Sequence, residues 1–307
     1  MLIERMNKEF EYLNKELIQR YESERKRCQA HRERALAAAK GRQDQVKDIL
    51  QGSKIDPKYF EARAAEDEKS LVEHLKAVRP QLVNREAGHT ANDARRRSLL
   101  SSMHVAGRLV VPPFAATLLA GNRANVVDNP GPSGNPWVLP LNPARVHIKA
   151  FETGQGWGCW AQPYVSTEDA GSGVFWFPFV PDRTGMWHLS ALAALHGFYI
   201  IRANDGLFDC KHAQVRITAT ADVFQYFWFG QQNIEMLNID ADNIDDSNLY
   251  DDTAWLDRNV PLRAGDLAWV ALWISIHAQS KGGGSYAELN FNDGTANFIE
   301  PLVVFAS

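Results

Sequence analysis

A chain of 307 residues that is 45% apolar and 23% charged is long enough for two domains and excludes a disordered or fibrous polymer. Its net charge of −4 hides an asymmetry: residues 1–107 carry 22 basic and 17 acidic side chains, a balance of +5, and the remainder balances at −9. All nine tryptophans lie at or beyond Trp137, and only Pro57 and Pro80 of the 14 prolines precede residue 108, so two physically different segments are joined.

Met1 to about Gln51 reads as one long helix, because Glu, Lys, Arg, Gln, Leu and Ala dominate it. Met6, Phe10, Leu13 and Leu17 keep the 4-3-4 spacing of a coiled-coil seam. Beyond Tyr21 the spacing persists only through Leu36, Ala39, Gln43, Val46 and Leu50, and Glu22–Arg34 is mostly charge. Gly52-Ser53 ends the helix. Asp56 as N-cap and Pro57 at the first helical position start a second one. Its apolar stripe is Phe60, Ala64, Leu71, Leu75 and Val78, with Pro80 as its stop. The short connection allows an antiparallel hairpin. A third helix is expected from Thr90 towards His104, carrying Arg95-Arg96-Arg97.

Val105–Ala120 is the most apolar stretch between the two halves. Its Pro112-Pro113 argues against a continuous helix or a central strand. Residues 108–143 therefore read as a Pro/Gly-rich linker packed on the base of the C-terminal domain, with one short strand near Trp137–Leu139. From Arg145 the hydrophobic period changes to two. Strands are expected at 145–150, 157–165, 174–180, 187–191, 197–203, 214–229, 233–239, 267–277, 286–291 and 298–305. Turn chemistry such as Asn204-Asp205-Gly206 and Gly282–Ser285 separates them, and nothing between them has a helical period.

These patterns give a multi-domain α+β fold class. Residues 1–107 form a helical hairpin or coiled-coil-like segment, 108–143 the linker, and 144–307 an antiparallel, jelly-roll-like β-sandwich. Within the sandwich, Gln214–Phe229 alternates cleanly at first. It then sets Phe224, Tyr226 and Trp228 on one face and Phe227 and Phe229 on the other, which predicts a strand covered on both sides.

No nucleophile elbow, P-loop, dinucleotide fingerprint, HExxH or paired CxxC is present, and no spacing singles out a carboxylate pair. The expectation is a protein without catalytic residues or an organic cofactor. Cys28, Cys159 and Cys210 are too few for a disulfide framework; a Cys159–Cys210 bridge is the alternative to reduced, buried thiols. Cys210 and His212 share a strand face, but two ligands do not make a metal site.

The most suggestive polar cluster is Asp240–Asp252, with six carboxylates and two asparagines in thirteen residues. Asp240, Asp242, Asp245 and Asp246 are the candidate Ca²⁺ ligands, read as hard oxygen donors on a polar loop. The segment departs from the EF-hand loop, because Ile244 stands at the fifth position and Asp245 replaces the glycine. The plainer reading is a solvated loop rich in Asx turns.

Trp269 and Trp273 fall on the opposite strand face from Val270, Leu272, Ile274 and Ile276, so they face outward or onto another subunit. With Met6, Phe10, Leu13 and Leu17 they form the candidate self-association interface; sugar stacking is the other use for such rings. The leading expectation is a non-enzymatic structural or assembly protein, a homo-oligomer joined through its helical part and its aromatic surface. The alternative is a carbohydrate- or cell-surface-ligand-binding module, with Ca²⁺ or without, whose partner is a sugar or a protein. An enzyme on a jelly-roll scaffold is the third reading. Nucleic acid is not expected, because three arginines give little phosphate affinity at physiological salt. No apolar run approaches the ~20 residues of a membrane span, and MLIERMNKEF lacks a secretory apolar region. A cytoplasmic protein is expected, with signal-less export as the other route.

Overall fold

The computed structural model describes residues 2–54, 56, 58–84, 109–120, 123–127, 145–151, 167–204, 211–282, 284–294 and 296–307. Two helices come first, α1 (Leu2–Gly52) and α2 (Lys58–Val83). The strands are β1 (Leu109–Val111), β2 (Ala115–Ala120), β3 (Arg123–Val127), β4 (Val146–Phe151), β5 (Thr167–Phe179), β6 (Gly185–Ala203), β7 (His212–Phe224), β8 (Gln232–Asp242), β9 (Ile244–Leu262), β10 (Ala268–Lys281), β11 (Tyr286–Phe291) and β12 (Phe298–Ala306). They form two six-stranded antiparallel sheets packed face to face. One runs β3-β2-β5-β10-β7-β8. In the other, β9 takes one edge of β6, while β12 (with β1) and β11 (with β4) share its other edge end to end. Among consecutive described strands only β2–β3, β7–β8 and β11–β12 stay in one sheet; every other connection crosses between the sheets, as in a jelly roll. None of the described helices is long and apolar enough to cross a membrane.

The core lies between the sheets. The period-2 pattern of β7 sends Val215, Ile217, Ala219, Ala221 and Val223 inward, opposite Ala278, Ile276, Ile274, Leu272 and Val270 of β10 in the same layer. The other layer answers with Leu189, Ala193, Leu195 and Ile201 of β6 and Leu289 and Phe291 of β11. Where β11 ends and β12 has yet to begin, Gly197 of β6 meets Phe291: a Cβ there would lie 2.5 Å from the ring and 2.6 Å from the Asn290 carbonyl. Only glycine fits that junction.

Several expectations change. Leu109–Val127 is not linker but supplies β1–β3, and Pro112-Pro113 sits between β1 of one sheet and β2 of the other. A proline pair cannot donate to a ladder, which suits it to a sheet crossing rather than barring strands beside it. Residues 187–191 and 197–203 belong to a single nineteen-residue strand, β6. It is β6, not Gln214–Phe229, that is buried on both faces. Strand β7 stops at Phe224, and the aromatic run beyond it turns, leaving Tyr226 and Phe227 58% and 60% exposed. Asp240–Asp252 is not a loop: it spans the end of β8, a tight turn with Asn243 at φ 51°, and the start of β9.

Both helices pack on the sandwich over part of their length. The first part of α1 lies on the outer face of the β2–β5–β10 layer, whereas α2 lies on the outer face of β6 and β11. Asp56 caps α2, accepting the Lys58 N–H at 2.9 Å. Pro80 falls inside α2 rather than ending it, because burial of Leu82 and packing of Val83 hold one more turn. The helix end presses onto the β11–β12 turn, where Gly294 (φ +89°) leaves room for the Val83 carbonyl; a Cβ there would come within 2.5 Å of it. Arg95–Arg97, Trp137–Leu139, residues 157–165, Asp205-Gly206, Cys159 and Cys210 lie outside the described residues, as does the side chain of Cys28.

Candidate functional site

The outward faces of β5 and β10 carry Val174, Trp176, Trp269 and Trp273, too much apolar surface to leave in water. The seam of α1 covers it. Leu13 is fully buried there, and Met6, Phe10 and Leu17 pack around it. Phe10 meets the edge of Trp176 with ring centroids 5.9 Å apart, and Phe114 meets Trp269 at 5.5 Å. Buried and half-buried polar bonds set the register. Trp176 Nε1 donates to Thr117 Oγ1 (3.2 Å), Thr117 Oγ1 donates to Asn14 Oδ1 (2.6 Å), and Trp269 Nε1 reaches Glu9 Oε2 (3.3 Å). The six residues put forward for self-association thus meet one another within a single chain.

The seam does not close completely. Between α1 and the sheet opens a cleft of about 400 Å3, within the range of small-ligand sites. One wall is helical, with Leu13, Leu17 and Tyr21 beside the Glu16–Arg20 ion pair. The floor is the sheet, with Trp273, Thr220 and Asp222, and Ser172 bonded to Ser275 at 3.0 Å. Trp228, from the turn after β7, and Gln231 close one end. The rings of Trp228 and Trp273 lie 6.0 Å apart at 43°. Trp228 Nε1 is buried with no hydrogen-bond acceptor among the described residues, a donor the fold leaves unused.

Asp222 is 4% exposed. Burial pushes its carboxyl above the usual aspartate range, against the Val223 N–H (2.7 Å) and Arg258 (3.8 Å), which pull the other way. Arg258 itself is engaged by carbonyls, donating to Phe229 O at 2.7 Å and to Gly230 O. A desolvated carboxylate, hydroxyls and two indoles line one concavity, an arrangement able to grip a polar ligand with an apolar face.

The four candidate calcium ligands are divided between the sheets. Asp240 and Asp242 end β8 and both turn to His212, at 3.1 Å from Nε2 and 3.0 Å from Nδ1. Asp245 faces Arg202 (3.4 Å) and His74 (3.5 Å), and Asp246 accepts from the Tyr199 hydroxyl at 2.8 Å. Burial, with Asp246 next, pushes the Tyr199 phenol up to about 12. Each of the four carboxylates therefore already has a partner on the protein.

A different cluster brings together residues far apart in sequence. Glu288 of β11 is fully buried. It accepts from Tyr286 Oη (2.6 Å) and Asn290 Nδ2 (2.9 Å), and it lies 3.0 Å from Arg79 of α2 and 2.8 Å from His147 of β4. Arg79 also binds Asp293 at 2.7 Å. Burial raises both carboxyls, but the bonds from His147, Tyr286 and Asn290 to Glu288, and from Asn290 and Arg79 to Asp293, outweigh it and hold both below the usual range. Neither this network nor the cleft is visible in the sequence. Glu288 sits on a strand face that alternates normally, and no local spacing links it to Arg79.

No family model matches the chain, and no curated protein does. Among solved structures, one described as TmCBM61 in complex with beta-1,4-galactotriose aligns with 62% of this chain and 87% of its own, at 10% identity and a TM-score of 0.20. That correspondence is too distant to bear on the ligand.

Proposed function

We propose that the protein is a non-catalytic carbohydrate-binding module whose site is the cleft between α1 and the β5–β10–β7 face. The observation that carries this reading is the pairing, in one cavity, of the Trp228 and Trp273 ring faces with Asp222, Thr220 and Gln231. A pyranose has an apolar C–H face that stacks on an aromatic ring and a rim of hydroxyls that both donate and accept. The cleft supplies the matching surfaces: the indoles of Trp228 and Trp273, an acceptor in Asp222, and the polar side chains of Thr220 and Gln231. Calorimetric titration against a panel of neutral gluco-, galacto-, manno- and xylo-oligosaccharides tests it. At least one should bind, and Trp273→Ala should weaken it by tenfold or more, about 1.4 kcal/mol. A panel without millimolar binding would overturn the reading.

Self-association is the second reading, now placed on the remainder of α1. Every described side chain from Glu22 to Gly52 is exposed, about 45 Å of helix at the usual rise. A solution mass above the monomer value that falls on deleting residues 1–52 together with α2 supports it. A monomer at all concentrations excludes it.

A further inference from the structure

The network around Glu288 has the composition of a metal site with a guanidinium in the metal's place. We propose that a divalent transition-metal ion competes with Arg79 for His147, Glu288 and Asp293, so that metal loading releases α2 from the sheet.

The ligand atoms of these three residues lie within 4.8 Å of one another. Ligands around one ion with bonds of about 2.1 Å lie no more than about 4.2 Å apart, so small side-chain rotations complete the triad. One imidazole with two carboxylates suits zinc, manganese, iron or cobalt better than calcium. The position already holds a cation: a single nitrogen, Arg79 Nη2, contacts Glu288 Oε1 at 3.0 Å and Asp293 Oδ2 at 2.7 Å. His147 Nε2 is shielded from solvent and lies 2.8 Å from Glu288 Oε1, on the same oxygen that Arg79 Nη2 contacts.

Arginine and metal exclude each other there by charge and by volume. Arg79 is held on α2, and its side chain is 32% exposed, so it can leave without opening the core. Glu288 is fully buried while α2 is docked, so an ion reaches all three ligands only as Arg79 withdraws. Among the described residues, the rest of the α2 attachment comprises the cluster of Leu71, Leu82, Phe198, Ile200 and Tyr286 with Leu75, Val78 and Val83 packed on it, an Asp67–Lys211 pair at 2.6 Å, His74 beside Asp245 at 3.5 Å, and Arg202 on Ser70. Loss of the Arg79 contacts removes the ion pairs that tie the last turns of α2 to Glu288 and Asp293.

The test is calorimetric titration of the full chain with Zn²⁺, compared with Arg79→Met, His147→Gln and the double variant, alongside amide hydrogen exchange of residues 67–83. Arg79→Met, which keeps the packing stem, should bind Zn²⁺ at least tenfold more tightly than the parent. His147→Gln should remove that binding in either background. Saturating Zn²⁺ should speed exchange in α2 of the parent. Equal affinity in parent and Arg79→Met, Zn²⁺ binding indifferent to His147→Gln, or unchanged exchange in α2 would each overturn the proposal. If Arg79→Met does not fold, the parent and His147→Gln decide it by affinity and exchange alone.

Discussion

Leu13→Ala should destabilise the protein by roughly 3 kcal/mol, the usual size for emptying a fully buried leucine site. Leu13 is completely buried, unlike Met6, Phe10 and Leu17 beside it, and clusters with Trp176, Trp269 and Trp273. Truncation removes its contacts, and the rigid sheet face below cannot collapse into the gap. Two readouts separate local undocking from global loss. Tryptophan emission should shift to the red as the β5 and β10 indoles are hydrated, and the midpoint of urea unfolding should fall. Tyr12→Ala, one position away but 63% exposed, should move either by little, within ~0.5 kcal/mol. Equal stability of Leu13→Ala and the parent would mean that α1 does not rest on the sheet. Because Leu13 also lines the cleft, saccharide binding should weaken with it.

Glu288→Ala should be comparable, about 3 kcal/mol, because it removes a buried carboxylate and strands the donors around it. Arg79 keeps Asp293, but His147 and the Tyr286 hydroxyl lose their acceptor. The effect should depend on pH in a definite direction. Glu288 and Asp293 have folded pKa values below their unfolded ones. Their contribution is therefore complete above the unfolded carboxylate range and is lost as pH falls through the folded values. The parent should lose stability on acidification below about pH 4, and Glu288→Ala should show a shallower acid limb, with the two curves converging. Thermal melts of both proteins between about pH 7 and pH 2.5, a range that spans the carboxylate titration, measure this. Parallel curves would show that the Glu288 carboxyl titrates alike in the folded and unfolded states, with no lowering in the fold.

The inward rows of β7 and β10 are legible in the sequence because a period of two needs only neighbouring residues. The outward setting of Trp269 and Trp273 comes from the same period. Their partner does not, since nothing in residues 268–281 says whether a second subunit or residues 6–17 will cover them. The 4-3-4 seam of α1 is ambiguous in the same way: one stripe fits another helix or a sheet face. Asp240–Asp252 reads as a loop because dense carboxylates resemble one, whereas Asp240, Asp242, Asp245 and Asp246 each have a partner that holds them on a strand. The exchange of β6 for Gln214–Phe229 as the doubly covered strand has a similar cause: Gly197 and its neighbouring alanines make β6 look interrupted.

By itself, the sequence determined the division into a helical and an all-β part, the antiparallel sandwich, and the inner faces of its strands, because local period, turn chemistry and the absence of crossover helices are properties of short windows. Only the tertiary structure decided that the α1 seam and the outer tryptophans complete each other, that a cleft with Asp222 and Trp228 remains between them, and that Arg79 of α2 finds Glu288 of β11. Those contacts depend on which of several equally apolar or charged surfaces come to face one another, and that is settled by the packing of the whole chain.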